Sequence, residues 1–271
     1  MTMPVTGQGA APEPGDAWIV LREPDDVLVD ASGDATGIVF GDRPVAADAP
    51  ALLVEAGGAG PRVWATQVPA GTPDPDGARF ARARTLIGAL DARAFARFAR
   101  ARMLVEWQRT HRYCGRCGAA TASAPHEHGA RCPRCGLRSY PRISPVVIVR
   151  VTRGDEVLLA SPLRAPRAMH TVLAGFLEAG ESLEDAVARE IAEEVGLTVD
   201  DLAYAGSQPW PFPHALMVAF TARYAAGEIA ADPAELRDAG WYRADALPEL
   251  PPHGSIARAL IEDFRAEYAA G

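Results

Sequence analysis

The sequence contains no lysine, and all 27 of its basic residues are arginine. That absence excludes a Walker-type phosphate loop, which needs the amine at the nucleotide phosphates. It equally excludes Schiff-base and pyridoxal catalysis. Long apolar runs are missing too: the stretch at residues 146–149 is far too short to cross a bilayer. The opening MTMPVTGQGAAPEPGDAW lacks a basic segment followed by an apolar one, so the expectation is no secretory signal and a soluble, cytoplasmic protein. Cationic excess is also absent. A formal charge of −8 argues against sequence-independent binding to nucleic acid, which relies on neutralising phosphates. It leaves room for an RNA end entering a metal-lined pocket, where the metal supplies the positive charge.

What is present reads as an ordinary globular chain of one large or two smaller domains. The first fifteen or so residues are rich in glycine and proline and are expected to be loose. From Trp18 to about Val68, short β-rich runs (WIVL, DVLVD, GIVF, ALLVEA, RVWATQV) alternate with turn residues and predict a small, mostly antiparallel sheet. TPDPDG at 72–77 is a turn, with a helical region expected after it. Asp91 can cap a helix running to about Thr110, with Phe95, Phe98, Leu104 and Trp107 as its apolar positions. Beyond the cysteine-bearing stretch 111–140, PVVIVRV and DEVLLA read as a hairpin and TVLAGFLE as a strand. A helix at SLEDAVAREIAEEVG, two further strands and a terminal amphipathic helix from about Ser255 to Tyr268 complete the pattern. The expected layout is an N-terminal α+β domain (1–110), a cysteine insert (111–140) and a C-terminal α/β domain (141–271).

The four cysteines form two knuckles, Cys114-Gly-Arg-Cys117 and Cys132-Pro-Arg-Cys135, separated by fourteen residues and each followed by glycine. Tetrahedral zinc takes four thiolates, and two such turns can supply them around one ion. Disulfides or unpaired structural thiols are the alternatives, the former disfavoured in a chain read as unexported. A closed four-thiolate site leaves no open coordination position, so the expected zinc is structural. His126 and His128 lie between the knuckles and read as solvated loop residues.

The informative segment is GFLEAGESLEDAVAREIAEEVGL, residues 175–197. Ser182 with Asp185 makes a plausible capping box, and Gly196 a helix stop. Leu183, Val187, Ile191 and Val195 recur every fourth residue as a buried stripe. Glu190 and Glu194 border that stripe, with Glu193 on the outer flank. Like charges at the edge of a core are costly. A divalent cation with oxygen preference, Mg²⁺ or Mn²⁺, is the simplest compensation; an acidic exposed helix is the bland alternative. Downstream, SQPWPFP places Trp210 and Phe212 as flat apolar surfaces among stiffening prolines, suited to stacking a base or packing in a core. Tyr140 and Phe176 are further stacking candidates, and His214 could contact phosphate.

Gly175, Glu181, Arg189-Glu190-Ile191, Glu193-Glu194 and Gly196-Leu197 at these spacings resemble the Nudix box. Ser207 to Pro213 resembles the SQPWPFP motif of the NADH pyrophosphatase group, which includes NAD-capped RNA hydrolases and carries a four-cysteine ribbon directly before its Nudix domain. The resemblance spans roughly Arg109 to the C-terminus. It implies a Nudix α/β/α sandwich at residues 141–271, a zinc ribbon at 111–140 and an N-terminal α+β domain at 1–110.

For the site, the resemblance implies that Glu190, Glu194, Glu235 and the Ala174 carbonyl hold catalytic Mg²⁺ or Mn²⁺, with Glu193 or Glu194 as proton acceptor. Gln208, Pro209, Trp210, Pro211, Phe212, Pro213, His214 and Ala215 are expected to line the nicotinamide-nucleotide pocket; Glu127, Tyr140, Phe176 and Ala257 are further expected substrate contacts. Ala215 stands where relatives commonly have serine, which removes one possible hydrogen bond. The implied reaction is hydrolysis of NAD(H) to AMP and nicotinamide mononucleotide, and of NAD caps on RNA, by a homodimer. The rival readings are a Nudix hydrolase of ADP-ribose or dinucleoside polyphosphates, and a non-catalytic zinc-ribbon module binding RNA or protein. Arg189 is expected to orient the glutamates by ion pairing.

Overall fold

The structure, a computed structural model, describes residues 11–31, 37–38, 40–41, 51–56, 61–124, 127–166 and 169–268. The expectations for residues 1–10, Val39 and His126 therefore lie outside the described residues. The chain divides into two compact units, Met1–Arg142 with Pro211–His214, and Ile143–Trp210 with Ala215–Gly271.

The first unit holds strands β1 (Ala17–Arg22), β2 (Asp26–Asp30), β3 (Ala51–Glu55), β4 (Val63–Val68) and β5 (Ala78–Arg82) in one sheet of order β3-β4-β1-β2-β5. The expected sheet is present with two differences. β1 pairs in parallel with β4, and among the described residues of GIVF the pairing seen is an isolated bridge from Phe40 to Trp18. The region after TPDPDG, expected to be helical, begins as β5, because Ala78 and Phe80 alternate inward and pair along β2. A short 3₁₀ turn at Ala83–Leu86 follows it. Helix α1 (Ala92–Thr110) starts where the Asp91 carboxylate accepts the Ala94 amide at 2.8 Å. It lays Phe95, Phe98, Ala101, Leu104 and Val105 against Ile19, Leu21, Val27 and Leu52 of the sheet. Three two-residue strands, β6 (Ala122–Ser123), β7 (Ala130–Arg131) and β8 (Arg138–Ser139), form the small sheet of the cysteine stretch.

The second unit is a sheet between two helices. Its strands are β9 (Ser144–Arg153), β10 (Glu156–Pro162), β11 (Leu173–Phe176), β12 (Thr198–Trp210), β13 (Ala215–Ala226) and β14 (Leu236–Arg243); its helices are α2 (Leu183–Val195) and α3 (Ile256–Tyr268). The order is β12-β13-β9-β10-β14, with β11 also on β9. β9 shows why both faces are covered. Val147, Val149 and Val151 point to the α2 side with Leu158 and Ile191, whereas Ile148 joins Leu159, Ile261 and Phe264 on the α3 side. Near-continuous apolar strands of this kind require two covered faces. The β9–β10 hairpin keeps register only at Glu156–Arg153 and Val157–Thr152; beyond that, β9 pairs with β11 and β10 with β14. That parting brings β11, and with it the glycine of the glutamate-rich segment, onto the central strand. Among the described residues, no helix is long and apolar enough to cross a membrane.

Candidate active site

The glutamates owe their placement to α2. Ser182 caps it, its hydroxyl accepting the Asp185 amide at 3.1 Å and donating to the Asp185 carboxylate at 2.7 Å. Gly196 ends it with φ +72°, a left-handed backbone that disfavours any residue with a Cβ. Between these stops, Val187, Ile191 and Val195 are buried and fix the rotation of the helix. Glu190 and Glu194, four residues apart, then emerge on one face beside the core, while the Glu193 side chain stays 63% exposed.

Opposite them, β11 runs past with Gly175 facing Val147 of β9. A Cβ on Gly175 would fall 1.7 Å from the Glu190 Cδ, so the carboxylate occupies the volume that any other residue would fill. Ala174, Phe176, Glu178, Glu190, Glu194 and Glu235 line a single cavity of about 470 Å³. Thus the structure brings the expected catalytic glutamates Glu190 and Glu194, the distant Glu235 and Ala174 to one cavity. Phe176 stands at the same cavity, 60% exposed.

Arg189 organises the rim with all five of its N–H donors. Nε and one terminal nitrogen hold Glu181 at 2.7 and 2.9 Å. The remaining bonds reach Glu190 at 2.9 Å, Glu193 at 3.1 Å and the Phe176 carbonyl at 2.9 Å. This guanidinium holds the Glu181 carboxyl down at about 2. Glu194 has the opposite environment. Burial, followed by the charges of Glu190, Glu235 and Asp232, pushes it up to about 8. Burial also raises Glu190 above the ordinary carboxylate range, against the pull of Arg189. Buried carboxylates raising one another are a donor set that suits a divalent cation with oxygen ligands.

In the first unit, the thiols of Cys114 and Cys135 lie 3.6 Å apart and those of Cys117 and Cys132 3.5 Å apart. All four sulfurs fall within 4.8 Å of one another, the only such group of three or more potential ligands among the described residues. Four sulfurs about 2.3 Å from a central zinc would sit about 3.8 Å apart, so the cluster fits that ion. Without a metal the cluster shares its protons: the amides of Cys135 and Arg134 draw the Cys132 thiol down to about 6, while hydrogen bonding to the neighbouring sulfurs holds Cys117 up at about 12. His128, expected to be solvated, is half-buried, with burial lowering its pKa; it is not part of the cluster, as expected for a site closed by four thiolates.

The expected substrate-contact residues fall into separate groups. Glu127 accepts a hydrogen bond from the Tyr140 hydroxyl at 3.4 Å and lines a 740 Å³ cavity along the ribbon with Arg131 and Arg138. Gln208, on β12, is committed at both ends of its amide: it donates to the Gly254 carbonyl at 2.8 Å and accepts from the Ile256 amide at 2.8 Å. It therefore caps α3 immediately before Ala257. Pro209, Trp210 and Ala215 sit at the ends of β12 and β13, where Trp210 is the register partner of Ala215.

Residues 211–214 group with the first unit. The Phe212 ring packs on that unit's core, with the guanidinium groups of Arg84 and Arg102 over it at 4.5 and 5.3 Å. Arg102 also donates to the Pro211 carbonyl at 2.6 Å. Of the two roles open for Phe212 in the sequence, stacking or core packing, the ring takes packing; of the other stacking candidates, Phe176 and Tyr140 are exposed. Pro213 is exposed, and His214 lines a 210 Å³ cavity with Trp107, His111 and Arg142. Sequence reasoning missed these engagements because Arg84, Arg102 and Gly254 carry no local signal linking them to the motif.

An α/β/α sandwich, whose glutamate-bearing helix closes on a strand glycine and which follows a four-thiolate ribbon, defines a recognisable class. The NUDIX domain matches residues 141–264 and the NADH pyrophosphatase zinc ribbon domain matches residues 109–140. The chain belongs to the Nudix family, in the group that carries this ribbon. It is 54% identical over 160 residues to the NAD-capped RNA hydrolase NudC of Pectobacterium carotovorum subsp. carotovorum (strain PC1), covering 59% of this chain and 62% of that protein. It is 51% identical over 183 residues to the NAD-capped RNA hydrolase NudC of Escherichia fergusonii, covering 66% of this chain and 71% of that protein. A solved NUDIX hydrolase from Nitrosomonas europaea superposes with a TM-score of 0.50 at 20% identity, covering 59% of this chain and 93% of that one, which supports the fold.

Proposed function

We propose that this chain hydrolyses the pyrophosphate of NAD(H) to AMP and nicotinamide mononucleotide, and cuts the same bond in NAD-capped RNA to leave a 5′-monophosphate end. The single observation that carries the reading is the cavity in which Gly175 makes room for the Glu190 carboxylate beside Glu194 and Glu235. The names of the two bacterial relatives support the choice of substrate. In this reading residues 1–110, 111–140 and 141–271 serve as N-terminal domain, zinc ribbon and hydrolase domain, and the protein acts as a cytoplasmic homodimer. The four cysteines hold one structural zinc.

Glu190, Glu194, Glu235 and the Ala174 carbonyl would hold Mg²⁺ or Mn²⁺. Bound there, such ions supply neutralisation of the diphosphate charge and acidify an attacking water. The chain's own groups do the rest. Arg189 keeps Glu181, Glu190 and Glu193 aligned. A helix glutamate accepts the proton of the water, and Glu194 is favoured over Glu193 because it lines the cavity whereas Glu193 is tied to Arg189 at the rim. Phe176, exposed at this cavity, offers a face for one of the substrate's rings.

The test is to incubate wild-type protein, Glu194→Gln and Gly175→Ala with NADH, ADP-ribose and NAD-capped RNA in Mg²⁺ or Mn²⁺, and to resolve the products by chromatography. Wild type should cleave NADH and the capped RNA, and both variants should lose at least about a hundredfold in rate. Gly175→Ala should remain folded, since the atom it meets is the end of a side chain. Absence of cleavage by the wild type would overturn the enzymatic reading, and ADP-ribose cleaved far better than NADH would overturn the choice of substrate.

A further inference from the structure

Two arginines line the catalytic cavity among the described residues, Arg164 and Arg189. They are not equivalent. The five donors of Arg189 are already spent on Glu181, Glu190, Glu193 and the Phe176 carbonyl. An incoming anion finds no free N–H there. Arg164 is exposed and has no hydrogen bond or ion pair to any described residue.

The turn that carries Arg164 is built rather than loose. Arg237, on β14, donates to three of its carbonyls: Pro162 at 2.5 Å, Leu163 at 2.6 Å and Ala165 at 3.0 Å. The Leu163 amide donates to the Glu235 carbonyl at 2.8 Å, which ties the turn to the backbone of one of the expected metal ligands. The backbone under Arg164 is thus set against the same residue that helps form the cavity wall. In a chain without lysine, guanidinium is the only permanently charged side-chain donor, and its planar fork matches phosphate oxygens bidentately. The other charged groups lining this cavity, Glu178, Glu190, Glu194 and Glu235, are all acidic.

We infer that Arg164 binds the diphosphate of the substrate, with Arg237 as the residue that positions its turn. This rests on the proposed pyrophosphatase reading and adds to it the contact that recognises the anionic centre of the substrate. A guanidinium on a phosphate oxygen that persists through the reaction contributes to binding substrate and transition state alike, so its loss should appear in KM.

The experiment compares full-length wild type, Arg164→Gln, Arg164→Lys and Arg237→Gln as metal-loaded enzymes. Arg164→Gln should raise KM about tenfold for NADH and for ADP-ribose alike, with kcat within about twofold. Arg164→Lys should recover part of the loss, because the charge returns without the fork. Arg237→Gln should raise KM in the same direction by a smaller factor. Equal losses for the two substrates are required because they share only the adenosine diphosphate-ribose portion. A rise confined to NADH would place Arg164 on the nicotinamide and overturn the assignment, as would an unchanged KM or a loss confined to kcat. Calorimetric titration of NADH in chelator gives a second readout that needs no turnover, and there Arg164→Gln should weaken binding severalfold. A wild type that binds NADH without cleaving it would defeat the pyrophosphatase reading while the titration series still decides the role of Arg164. A wild type that neither binds nor cleaves would defeat both.

Discussion

Glu194 shows the conflict that a single residue can hold. It is 6% exposed, surrounded by Glu190, Glu235 and Asp232, and burial with those charges raises its pKa to about 8. The folded state therefore favours the protonated carboxyl. In the metal-free protein this contribution is complete below the ordinary value of 4.5 and is lost as pH climbs through about 8. Metal-free wild type should accordingly lose stability over that interval, by up to about 5 kcal/mol, and Glu194→Gln should lose less. Divalent cation should restore the wild type and leave the variant unmoved. Thermal melts in chelator and in Mg²⁺ check this, and a variant that melts below wild type at pH 8 without metal would contradict it. The spacing that put Glu190 and Glu194 on one face was legible in the sequence because four residues is nearly one helical turn. The engagement of Gln208 with the start of α3 was not, since its partners lie 46 and 48 positions away.

At the scale of elements, legibility follows the range of the forces involved. Helix α2 declares itself through a cap, a stop and a buried stripe, all within its own length. Strand β5 does not: ARFAR reads as helix by composition, and only pairing with β2 makes it a strand. The parallel β1–β4 pairing likewise depends on a crossover whose course no local pattern specifies. The cysteine ribbon is the opposite extreme. Its strands β6, β7 and β8 have two residues each and little apolar surface, so the metal must supply most of its order. Structural zinc in such modules is worth about 10–16 kcal/mol. Metal analysis should find about one zinc per chain. Stripping it should abolish amide-exchange protection at Cys114–Gly118 and Cys132–Gly136, where amide–carbonyl bonds close the knuckles, and spare α2. Unchanged protection after zinc removal would show that the ribbon folds by its own packing.

For the molecule as a whole, the division of charge labour has a direct chemical reading. Every permanently charged side-chain cation is an arginine, and the candidate reaction centre is lined by carboxylates. Amine-acylating reagents should therefore leave the proposed NADH hydrolysis unchanged, whereas an arginine-directed dicarbonyl should abolish it, with NADH protecting. Loss of activity on amine acylation would contradict this. The two-unit division was only partly legible: the boundary near Arg142 coincides with a change in composition, but the membership of residues 211–214 in the first unit does not.

That membership bears on synthesis. The ribosome completes residues 1–142 about seventy residues before it delivers Phe212. At roughly 5–20 residues per second, the first unit waits several seconds with Arg84 and Arg102 uncovered and one ring of its apolar cluster missing. Its final packing is thus tied to the emergence of the second unit's β12, and a chain released early would leave an N-terminal unit that is nearly whole but never finished.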